Sequence, residues 1–448
     1  MKKYTYPDTI AIRPLDRPVN ATIRVPPSKS ITNRALVLAA LACRKGPCRI
    51  KNMLWADDTE VMVNALRQLG FAISITESDY GADAEVRTTN PLVIIPAREA
   101  DLYVGNSGTT MRFLTAMVSL GHGRYRLDGD ARMRERPIED LLDALRQLGV
   151  DAKTDRGNGC PPVEVVSNGL HGGRVQIRGD VSSQFLSGLL MSTSLASAWT
   201  EIEIEGSFVS ASYVNMTFTM LQWLSASPIR LSGDKISVPG NQEYLWSEDL
   251  EVEPDATSAS YWFASAAIND ASVTVEGSSS QFFAMQPDFE FLELLGSMGC
   301  YFRRDTPRSS WHVGASALVN GTSILRGITA DMNHISDTAM TLAAVACFAE
   351  GPTTIRNVSH IRHKECDRIA AMTTELRKLG VEVEEYPDGW KITPRPMHGA
   401  ELETYNDHRI AMSLALIGLK VPGVVIKDPG CVAKTYPGYW EDFEKLYK

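Results

Sequence analysis

The sequence predicts an α/β fold in which one supersecondary unit is repeated six times. At six places a short polar cluster leads directly into a helix of small apolar residues. Between these places, amphipathic helices end at a glycine and run into strands with alternating apolar residues. Short segments rich in β-branched residues, which are typical of strands, fill the rest of each repeat. Self-similarity at a nearly constant period indicates a repeated unit of helix, strand, amphipathic helix and strands.

The apolar helices set the period of the repeat. They follow "VPPSKSITNR", "GNSGTTMR", "SSQF", "DATSAS", "ISDTAM" and "YNDHRI". One polar marker per tip gives gaps of 79, 74, 75, 79 and 70 residues, and the markers are Ser30, Thr109, Ser183, Ser258, Asp337 and Asp407. Because these helices are apolar nearly all round, we expect burial on every side and polar residues only at the N-terminal tips.

The second helix of each unit has a single apolar face. The clear copies are "DDTEVMVNALRQLGFAISI" (57–75), "RPIEDLLDALRQLGVDAKT" (136–154) and "KECDRIAAMTTELRKLGVEVEE" (364–385). Each pattern predicts a helix that stops at its glycine and continues as a strand. Weaker copies are "YVNMTFTMLQWLSAS" and "QPDFEFLELLGSMGC". Further strands are predicted at "PCRIKNM", "RVQIRG", "TEIEIEG", "ASVTVEG", "TTIRNV" and "VVIKDPG".

The composition is that of a globular protein with two or three domains or one large one. The chain has 448 residues, of which 44% are hydrophobic and 22% are charged. No apolar run approaches the ~18 residues that span a bilayer, and the N-terminus lacks an apolar leader, so we expect a cytoplasmic protein without a membrane partner. Seven scattered cysteines without a CxxC pair indicate reduced thiols. A net charge of −9 argues against nucleic-acid binding.

The helix tips and adjacent loops concentrate cations among hydroxyls and a few carboxylates. They carry Lys29, Arg34, Asn106, Ser107, Thr109, Ser182, Ser183, Gln184, Asp337, Asp407, His408 and Arg409, with Arg132, Arg134, Arg136, Arg362, Lys364, Glu365, Arg368 and Lys434 nearby. Helix N-termini favour anions, and arginine suits bidentate capture of phosphate or carboxylate. If the six tips face a common space, they line a cleft for anions.

Each motif also has a structural explanation when it is taken alone. The stretch around Lys29 could be a capped helix with basic side chains that reach solvent, and Asp337 and Asp407 could be N-caps. The segments "RMRERP" and "RHKECDR" could be a solvated charge run and a set of surface ion pairs. Equal placement in the repeats favours the anion site over these separate explanations. No HExxH motif occurs, so we expect no metal site, and Walker, GxSxG and GxGxxG motifs are absent as well.

Seven motifs together resemble the 5-enolpyruvylshikimate-3-phosphate synthase family over residues 12 to 442. They are "PSKSITNRALVLAALA", "GNSGTTMRFL", "RMRERPIEDLLDAL", "SSQFLSGLL", "RHKECDRI", "YNDHRIAMS" and "AKTYPGY". The resemblance implies two similar domains, each of three βαβαββ units around buried parallel helices (an inside-out α/β barrel), with the active site in the interdomain cleft. The implied domains are 27–253 and 1–26 plus 254–448, with hinges near 24–27 and 253–254. A monomer is expected.

The implied reaction joins the enolpyruvyl group of phosphoenolpyruvate to the 5-hydroxyl of shikimate 3-phosphate and releases phosphate, without a cofactor. The residues implied to bind shikimate 3-phosphate are Lys29, Ser30, Arg34, Ser182, Ser183, Gln184, Ser210, Tyr213, Asp337, His360 and Lys364. Those implied to bind phosphoenolpyruvate are Lys29, Asn106, Gly108, Arg136, Gln184, Arg368, Arg409 and Lys434. The catalytic residues implied are Lys29, Asp337, Lys364 and Glu365. Asp337 would take the proton of the 5-hydroxyl, and Glu365 or Lys29 would protonate the methylene carbon.

Four residues depart from the family pattern, namely Pro27, Phe113, Ser212 and His360. Because His360 replaces an asparagine beside the phosphate of shikimate 3-phosphate, we expect phosphate affinity to depend on pH. Gly108 is retained where glyphosate-resistant members commonly carry alanine, so we expect inhibition by glyphosate in competition with phosphoenolpyruvate. Two alternatives stay open. One is the sister transferase that acts on UDP-N-acetylglucosamine, which relies on a cysteine that "RMRERP" lacks, and the other is a non-catalytic repeat protein that binds anions.

Overall fold

The computed structural model describes residues 4–17, 19–78, 81–224, 228–276, 285–305, 310–315, 318–319 and 322–448. The chain divides into two compact units. The N-terminal unit is Pro27–Val252, and the C-terminal unit combines Met1–Pro26 with Glu253–Lys448. Helices and strands alternate in both units, which confirms the predicted α/β class.

Twelve α-helices lie in the described residues. They are α1 (Lys29–Ala42), α2 (Asp57–Gln68), α3 (Gly108–Met117), α4 (Glu139–Gln147), α5 (Ser183–Thr193), α6 (Ala211–Leu224), α7 (Ala256–Asn269), α8 (Phe291–Ser297), α9 (Ala339–Ala346), α10 (Arg368–Lys378), α11 (His408–Gly418) and α12 (Tyr439–Phe443). The amphipathic helices α2, α4 and α10 each end two residues before the predicted glycine, so these three predictions are confirmed.

The strands are short, as the sequence pattern predicts. Those of the described residues are β1 (Thr9–Ala11), β2 (Asn20–Arg24), β3 (Cys48–Met53), β4 (Phe71–Glu77), β5 (Ala82–Thr88), β6 (Glu99–Tyr103), β7 (His122–Asp128), β8 (Asp151–Thr154), β9 (Val163–Asn168), β10 (Gly173–Arg178), β11 (Thr200–Glu205), β12 (Arg230–Ser232), β13 (Lys235–Val238), β14 (Leu250–Glu251), β15 (Ser272–Glu276), β16 (Cys300–Asp305), β17 (Ser310–Ala315), β18 (Leu318–Val319), β19 (Thr322–Ser323), β20 (Thr329–Asp331), β21 (Thr353–Arg356), β22 (Glu382–Tyr386), β23 (Gly389–Thr393), β24 (Glu401–Leu402) and β25 (Val425–Lys427).

Six sheets of the described residues share one pattern, with three sheets in each unit. A parallel pair at one edge is followed by antiparallel neighbours, and in four of the six sheets the parallel strands flank a buried helix in the chain. The sheet orders are β14-β3-β5-β4, β6-β7-β9-β8 and β10-β11-β13-β12 in the N-terminal unit, then β2-β15-β17-β16, β20-β21-β23-β22 and the three-stranded β24-β25-β1 in the C-terminal unit. Strands β18 and β19 pair separately.

Two strands are exchanged where the chain passes from one unit to the other. β2 precedes α1 in the chain but pairs in parallel with β15, and β14 precedes α7 but pairs in parallel with β3. Within the C-terminal unit, the N–H of Asp255 donates to the carbonyl of Pro26 at 2.8 Å. Within the N-terminal unit, the N–H of Val252 donates to the carbonyl of Lys51 at 2.9 Å. Both passages are therefore tied into sheets or turns rather than left as loose linkers.

The first helix of each repeat is buried along almost its whole length, which confirms the predicted burial. These helices are α1, α3, α5, α7, α9 and α11. In the N-terminal unit α3 packs against α1 and α5, and in the C-terminal unit α7, α9 and α11 pack against one another. The expectation that only the tips are polar is wrong, because Asn33, Arg34 and Arg112 are buried inside helices. Hydrogen bonds to other buried groups reduce the energetic cost of burying these polar side chains.

Candidate active site

Most helix tips are capped by the side chain that precedes the helix. Ser28, Ser107 and Ser182 accept hydrogen bonds from the first turns of α1, α3 and α5, which leaves the remaining N–H groups of each tip available to anions. Asp407 caps α11 in the same way, so the N-cap explanation holds for it. It is wrong for Asp337, which lies in a 3₁₀ turn before α9 and does not cap that helix.

Lys29 is the first residue of α1 and is nearly buried. Its Nζ lies 3.6 Å from Oδ2 of Asp58, and the two side chains are 13% and 6% exposed. Asp58 was not among the predicted site residues, although it lies in the acidic first turn "DDTE" of α2. A buried cation needs such a counter-charge, so Asp58 fixes where the ammonium group of Lys29 is presented.

Arg34 lies one turn further along α1 and is surrounded by neutral acceptors. Its Nε donates to Thr217 Oγ1 at 2.8 Å, and Nη2 donates to Ser187 Oγ at 3.2 Å and to the carbonyl of Tyr213 at 2.9 Å. Nη1 donates to the carbonyl of Ser30 at 2.9 Å. Burial lowers the pKa of Arg34 to about 10, so the guanidinium stays charged at neutral pH. Arg34 therefore links α1 to α5 and α6, and it fixes the backbone of Tyr213 in the first turn of α6.

The tip of α3 places two buried arginines around one glycine. Arg136 Nη1 donates to Asn106 Oδ1 at 3.0 Å, and Arg112 bridges the carbonyls of Gly108 and Pro137 at 3.2 and 3.1 Å. A Cβ on Gly108 would lie 2.4 Å from Arg136 Nη2 and 2.6 Å from Arg112 Nη1. Arg112 was not predicted, although its position four residues after Gly108 puts it over the same helical turn.

Two further contacts connect the helix tips of the N-terminal unit. Asn33 Nδ2 donates to Thr109 Oγ1 at 2.7 Å and joins α1 to α3. The Arg112 guanidinium lies 5.4 Å from the ring centre of Phe185, which joins α3 to α5 beside Gln184. The structure therefore brings Lys29, Ser30, Arg34, Asn106, Gly108, Arg136, Ser182, Ser183, Gln184 and Tyr213 to connected tips, and we call these residues the N-terminal cluster.

Ser210 belongs to the same unit and has an unusual backbone. Its φ is 53°, in the left-handed region, and the residue is 3% exposed. Its carbonyl accepts the N–H of Tyr213 at 3.1 Å, which forms the turn that opens α6. A positive φ at a serine is the kind of outlier that accumulates at functional sites. Phe113, one of the departures from the family pattern, is fully buried, and its ring centre lies 5.2 Å from the Arg34 guanidinium.

The C-terminal unit contains a second group of charges, centred on Arg368. The Arg368 guanidinium is 1% exposed and donates to Asp407 Oδ2 at 2.8 Å, Glu365 Oε2 at 2.8 Å and Asp337 Oδ1 at 3.2 Å. Burial by itself would lower the pKa of Arg368, but the three carboxylates around it raise that pKa above its usual range. Arg368 is therefore a permanent positive charge in the interior.

Two further ion pairs complete this group. Arg409 Nη2 donates to Asp337 Oδ2 at 2.7 Å, and Lys434 Nζ lies 3.1 Å from Glu365 Oε1. Asp337 therefore binds two arginines and does not cap α9. We call Asp337, Glu365, Arg368, Asp407, Arg409 and Lys434 the C-terminal cluster. An anion entering it has to compete with carboxylates for the cations, and the displaced carboxylates become available to accept protons.

His360 is buried beside this cluster and stays neutral. Its Nε2 lies 2.9 Å from Ser336 Oγ, and the residue is 4% exposed. Burial, helped by the charge of Lys364, lowers the pKa of His360 to about 3. This value lies well below neutral pH, and the expected pH dependence of phosphate affinity through His360 stays a prediction. Lys364 itself is partly exposed.

Three arginines from the predicted charge runs point to surface partners. Arg132 pairs with Glu135, Arg134 with Asp128, and Arg362 with both Asp367 and Glu385. The explanation as a solvated charge run is correct for Arg132 and Arg134, and the explanation as surface ion pairs is correct for Arg362. These explanations are wrong for Arg136 and Arg368, which are buried at helix tips.

The described residues contain no group of three His, Cys, Asp or Glu arranged to hold a metal ion. None of the seven cysteines, all of which lie in the described residues, is paired in a disulfide. No helix in the described ranges has the length and apolarity needed to cross a membrane. What the two clusters offer chemically is several fixed positive charges, hydroxyl donors and a small number of carboxylates.

Comparison with known proteins places this chain in one family. The family model described as EPSP synthase (3-phosphoshikimate 1-carboxyvinyltransferase) matches residues 15–443. The 3-phosphoshikimate 1-carboxyvinyltransferase of Nostoc punctiforme is 45% identical over 439 residues, 98% of this chain and 99% of that protein. The chloroplastic one of Arabidopsis thaliana is 43% identical over 445 residues, 98% and 84% of the two chains. A solved EPSP synthase structure from Acinetobacter baumannii has a TM-score of 0.78 at 25% identity, and the match covers 98% of both chains. The chain belongs to the EPSP synthase family.

Proposed function

We propose that this protein transfers the enolpyruvyl group of phosphoenolpyruvate to the 5-hydroxyl of shikimate 3-phosphate and releases phosphate. The observation that carries this conclusion is the family match over residues 15–443, together with 45% identity to a curated 3-phosphoshikimate 1-carboxyvinyltransferase along nearly the full length of both chains. The reaction is a step of the shikimate pathway, which leads to the aromatic amino acids. The transferase acting on UDP-N-acetylglucosamine and the non-catalytic anion-binding protein are not favoured by these matches.

For phosphoenolpyruvate we propose a site made from parts of both clusters. The ligand carries a phosphate and a carboxylate, which need several positive charges or N–H donors. Arg136 and the N–H groups beside Gly108 supply them in the N-terminal cluster, and Arg368, Arg409 and Lys434 supply them in the C-terminal cluster. Lys29, Asn106 and Gln184 complete the proposed set. The support is that the arginines are almost fully buried and fixed by hydrogen bonds before any ligand is present.

For shikimate 3-phosphate we propose the hydroxyl-rich part of the N-terminal cluster. Ser182, Ser183 and Gln184 at the tip of α5 and Ser210 and Tyr213 at the tip of α6 offer hydrogen-bond donors to the phosphate and ring oxygens. Lys29 and Arg34 add positive charge, Ser30 adds a hydroxyl group, and Arg34 also fixes α6. From the other unit, Asp337, His360 and Lys364 are proposed to contact this substrate.

The proposed chemistry is an addition followed by an elimination. The 5-hydroxyl oxygen bonds to C2 of phosphoenolpyruvate as the hydroxyl loses its proton, and C3 gains a proton to become a methyl group. In the second half C3 loses a proton, the C2–O bond to phosphate breaks, and the enol ether forms. We assign the first proton to Asp337 and the proton at C3 to Glu365 or Lys29, with Lys364 nearby as a positive charge. The ion pair between Asp337 and Arg409 supports the first assignment, because it favours the carboxylate form that accepts a proton.

We propose further that the two units act as two domains that close on one pair of substrates, with the inside-out barrel architecture that the family resemblance implies. An anionic substrate that contacts cations of both clusters would favour the closed arrangement of the two domains. Small-angle X-ray scattering should then show a smaller radius of gyration after shikimate 3-phosphate is added. An unchanged radius would contradict closure while leaving the reaction itself open.

The function is tested by measuring phosphate release from phosphoenolpyruvate with purified protein. We expect release only when shikimate 3-phosphate is present, in a one-to-one ratio to the enol ether. Replacing shikimate 3-phosphate by UDP-N-acetylglucosamine should give no release. Release with the nucleotide sugar alone would identify the sister activity, and binding of both anions without release would identify a non-catalytic protein.

A further inference from the structure

Two turns that lead into buried helices share the same closing hydrogen bond and a positive φ at the second residue. Turn 104–107 precedes α3, and turn 404–407 precedes α11. In each, the N–H of the fourth residue donates to the carbonyl of the first, at 3.0 and 2.9 Å respectively. The second residue has a positive φ in both turns, 53° for Gly105 and 54° for Tyr405. The segments "GNSG" and "YNDH" thus occupy the same place in two repeats.

The two turns differ in how they tolerate the positive φ. Glycine adopts a positive φ without steric cost, whereas a tyrosine at this φ has its Cβ too close to the backbone. Asn406 follows with a φ of 53°, which asparagine tolerates better than most residues. A bulky residue in the left-handed region persists only where its surroundings hold it there. Tyr405 therefore needs a contact that Gly105 does not need.

That contact is the buried carboxylate of Glu375 on α10. Glu375 Oε1 accepts the hydroxyl of Tyr405 at 2.6 Å, and Oε2 accepts the N–H of Glu403 at 3.0 Å. Lys378 Nζ lies 2.8 Å from Oε2 and balances the charge. Glu375 is fully buried, so these bonds do not compete with water. Burial and the bond to Glu375 raise the pKa of Tyr405 above its usual value, which keeps the phenol protonated as a donor.

Turn 404–407 ends at Asp407, which contacts two arginines of the C-terminal cluster. Asp407 accepts from Arg368 Nε at 2.8 Å and from the N–H of Arg409 at 2.9 Å. Arg368 begins α10, the helix that also carries Glu375. Helix α10 therefore carries both Glu375, which contacts the turn, and Arg368, whose guanidinium binds Asp407 at the end of the turn.

We propose that Glu375 is a positioning residue, which holds Tyr405 in the left-handed conformation and thereby places Asp407 against Arg368. The proposal rests on the proposed function, in which Arg368 and Arg409 bind phosphoenolpyruvate. The proposal predicts an effect on the binding of phosphoenolpyruvate only. Loss of the contact should weaken binding of phosphoenolpyruvate and leave shikimate 3-phosphate, whose proposed ligands are mostly in the N-terminal cluster, nearly unaffected.

The decisive experiment compares Tyr405→Ala with Tyr405→Gly. Both variants lack the hydroxyl and the ring, but only glycine takes the positive φ freely. We expect Tyr405→Ala to raise the KM for phosphoenolpyruvate about tenfold and Tyr405→Gly to stay within about twofold of the parent. Glu375→Ala should resemble Tyr405→Ala. A role in packing alone would affect the alanine and glycine variants alike, and that result would overturn the proposal.

The matched control is Glu384→Ala. Glu384 also accepts a tyrosine hydroxyl, from Tyr386 at 3.2 Å, and also binds a lysine, Lys391, at 2.8 Å. It lies on exposed β22, so its removal should change neither KM. A second readout, hydrogen exchange of the amides of 403–409, should rise in Tyr405→Ala and not in Tyr405→Gly whether or not turnover is detected. Equal exchange in the two variants would overturn the proposal, whereas absent turnover in the parent would contradict only the proposed function.

Discussion

The two clusters hold their buried cations in different ways. In the N-terminal cluster Arg34 and Arg136 are fixed by hydroxyl, amide and carbonyl oxygens, so their positive charge is not neutralised by these contacts. In the C-terminal cluster each cation contacts a carboxylate, and Arg368 contacts three. An anion therefore meets neutral oxygen partners at Arg34 in the first cluster, whereas it must displace carboxylates at the second. We expect shikimate 3-phosphate to bind first and phosphoenolpyruvate to bind more tightly afterwards.

The largest effect should come from Lys29, whose ammonium group lies 3.6 Å from the carboxylate of Asp58. Lys29→Met removes the charge proposed to contact both substrates, and a buried charged contact is worth ~2–4 kcal/mol, or roughly 30- to 1000-fold in rate. Steady-state phosphate release measures this. Lys45→Met is the matched control, because Lys45 is exposed and pairs with Glu243 at 3.1 Å. Lys29→Met turnover within threefold of the parent would mean that the stretch is only a capped helix.

Arg34→Lys keeps the positive charge but removes hydrogen bonds between the guanidinium and neutral oxygen atoms. Lysine cannot reach Thr217, Ser187 and the carbonyl of Tyr213 together, so we expect a loss of about 1.5–3 kcal/mol in the free energy of unfolding. The KM for shikimate 3-phosphate should rise as well, because α6 loses its anchor. Urea unfolding and steady-state kinetics measure the two quantities. An unchanged stability would show that the hydrogen bonds of Arg34 do not hold the helix.

Gly108→Ala tests how tightly the arginines surround the tip of α3. The added methyl group would lie 2.4 Å from Arg136 Nη2 and 2.6 Å from Arg112 Nη1, so both guanidinium groups have to move. Overpacking of this kind costs ~1–3 kcal/mol, which predicts a KM for phosphoenolpyruvate raised by roughly 5- to 150-fold. The inhibition constant of glyphosate, the longer ligand, should rise more. Equal inhibition constants in the two proteins would contradict this account of the glycine.

Next to the C-terminal cluster, the buried His360 should make the stability of the protein depend on pH. Its pKa of about 3 lies below the value of about 6.5 in an unfolded chain, so unfolding takes up a proton between these pH values. Stability should therefore fall as the pH falls below about 6.5, by about 2 kcal/mol from this residue at pH 5. His360→Asn should remove this part of the loss in urea unfolding. The exposed His363→Asn is the control, and equal pH dependence in the parent and His360→Asn would refute the prediction.

Features that repeat along the chain, and features set by neighbouring residues, could be predicted from the sequence. Apolar helices with polar tips, glycines after amphipathic helices and N-cap residues such as Asp407 follow from spacing and side-chain chemistry. The sequence was insufficient where partners are distant in the chain. Arg34 meets Thr217 across 183 positions, and whether Asp337 caps a helix or binds arginines depends on how three helices pack.

Burial and backbone conformation were also beyond the sequence patterns. The pKa of His360 is set by burial that no local motif reports. The positive φ of Tyr405 contradicts the preference of its residue type, and only the alignment of "YNDH" with "GNSG" between repeats could have indicated it. The buried Glu375 that compensates is 30 residues away along the chain.

The central claim, enolpyruvyl transfer by addition and elimination, is tested most directly by running the reaction in D₂O. Protonation of C3 followed by loss of a proton should place deuterium in the vinyl methylene group of the product, which NMR detects. We predict deuterated enol ether formed together with one phosphate per molecule, only when both substrates are present. An undeuterated product would contradict the mechanism, and no product with both substrates at saturating concentration would contradict the function.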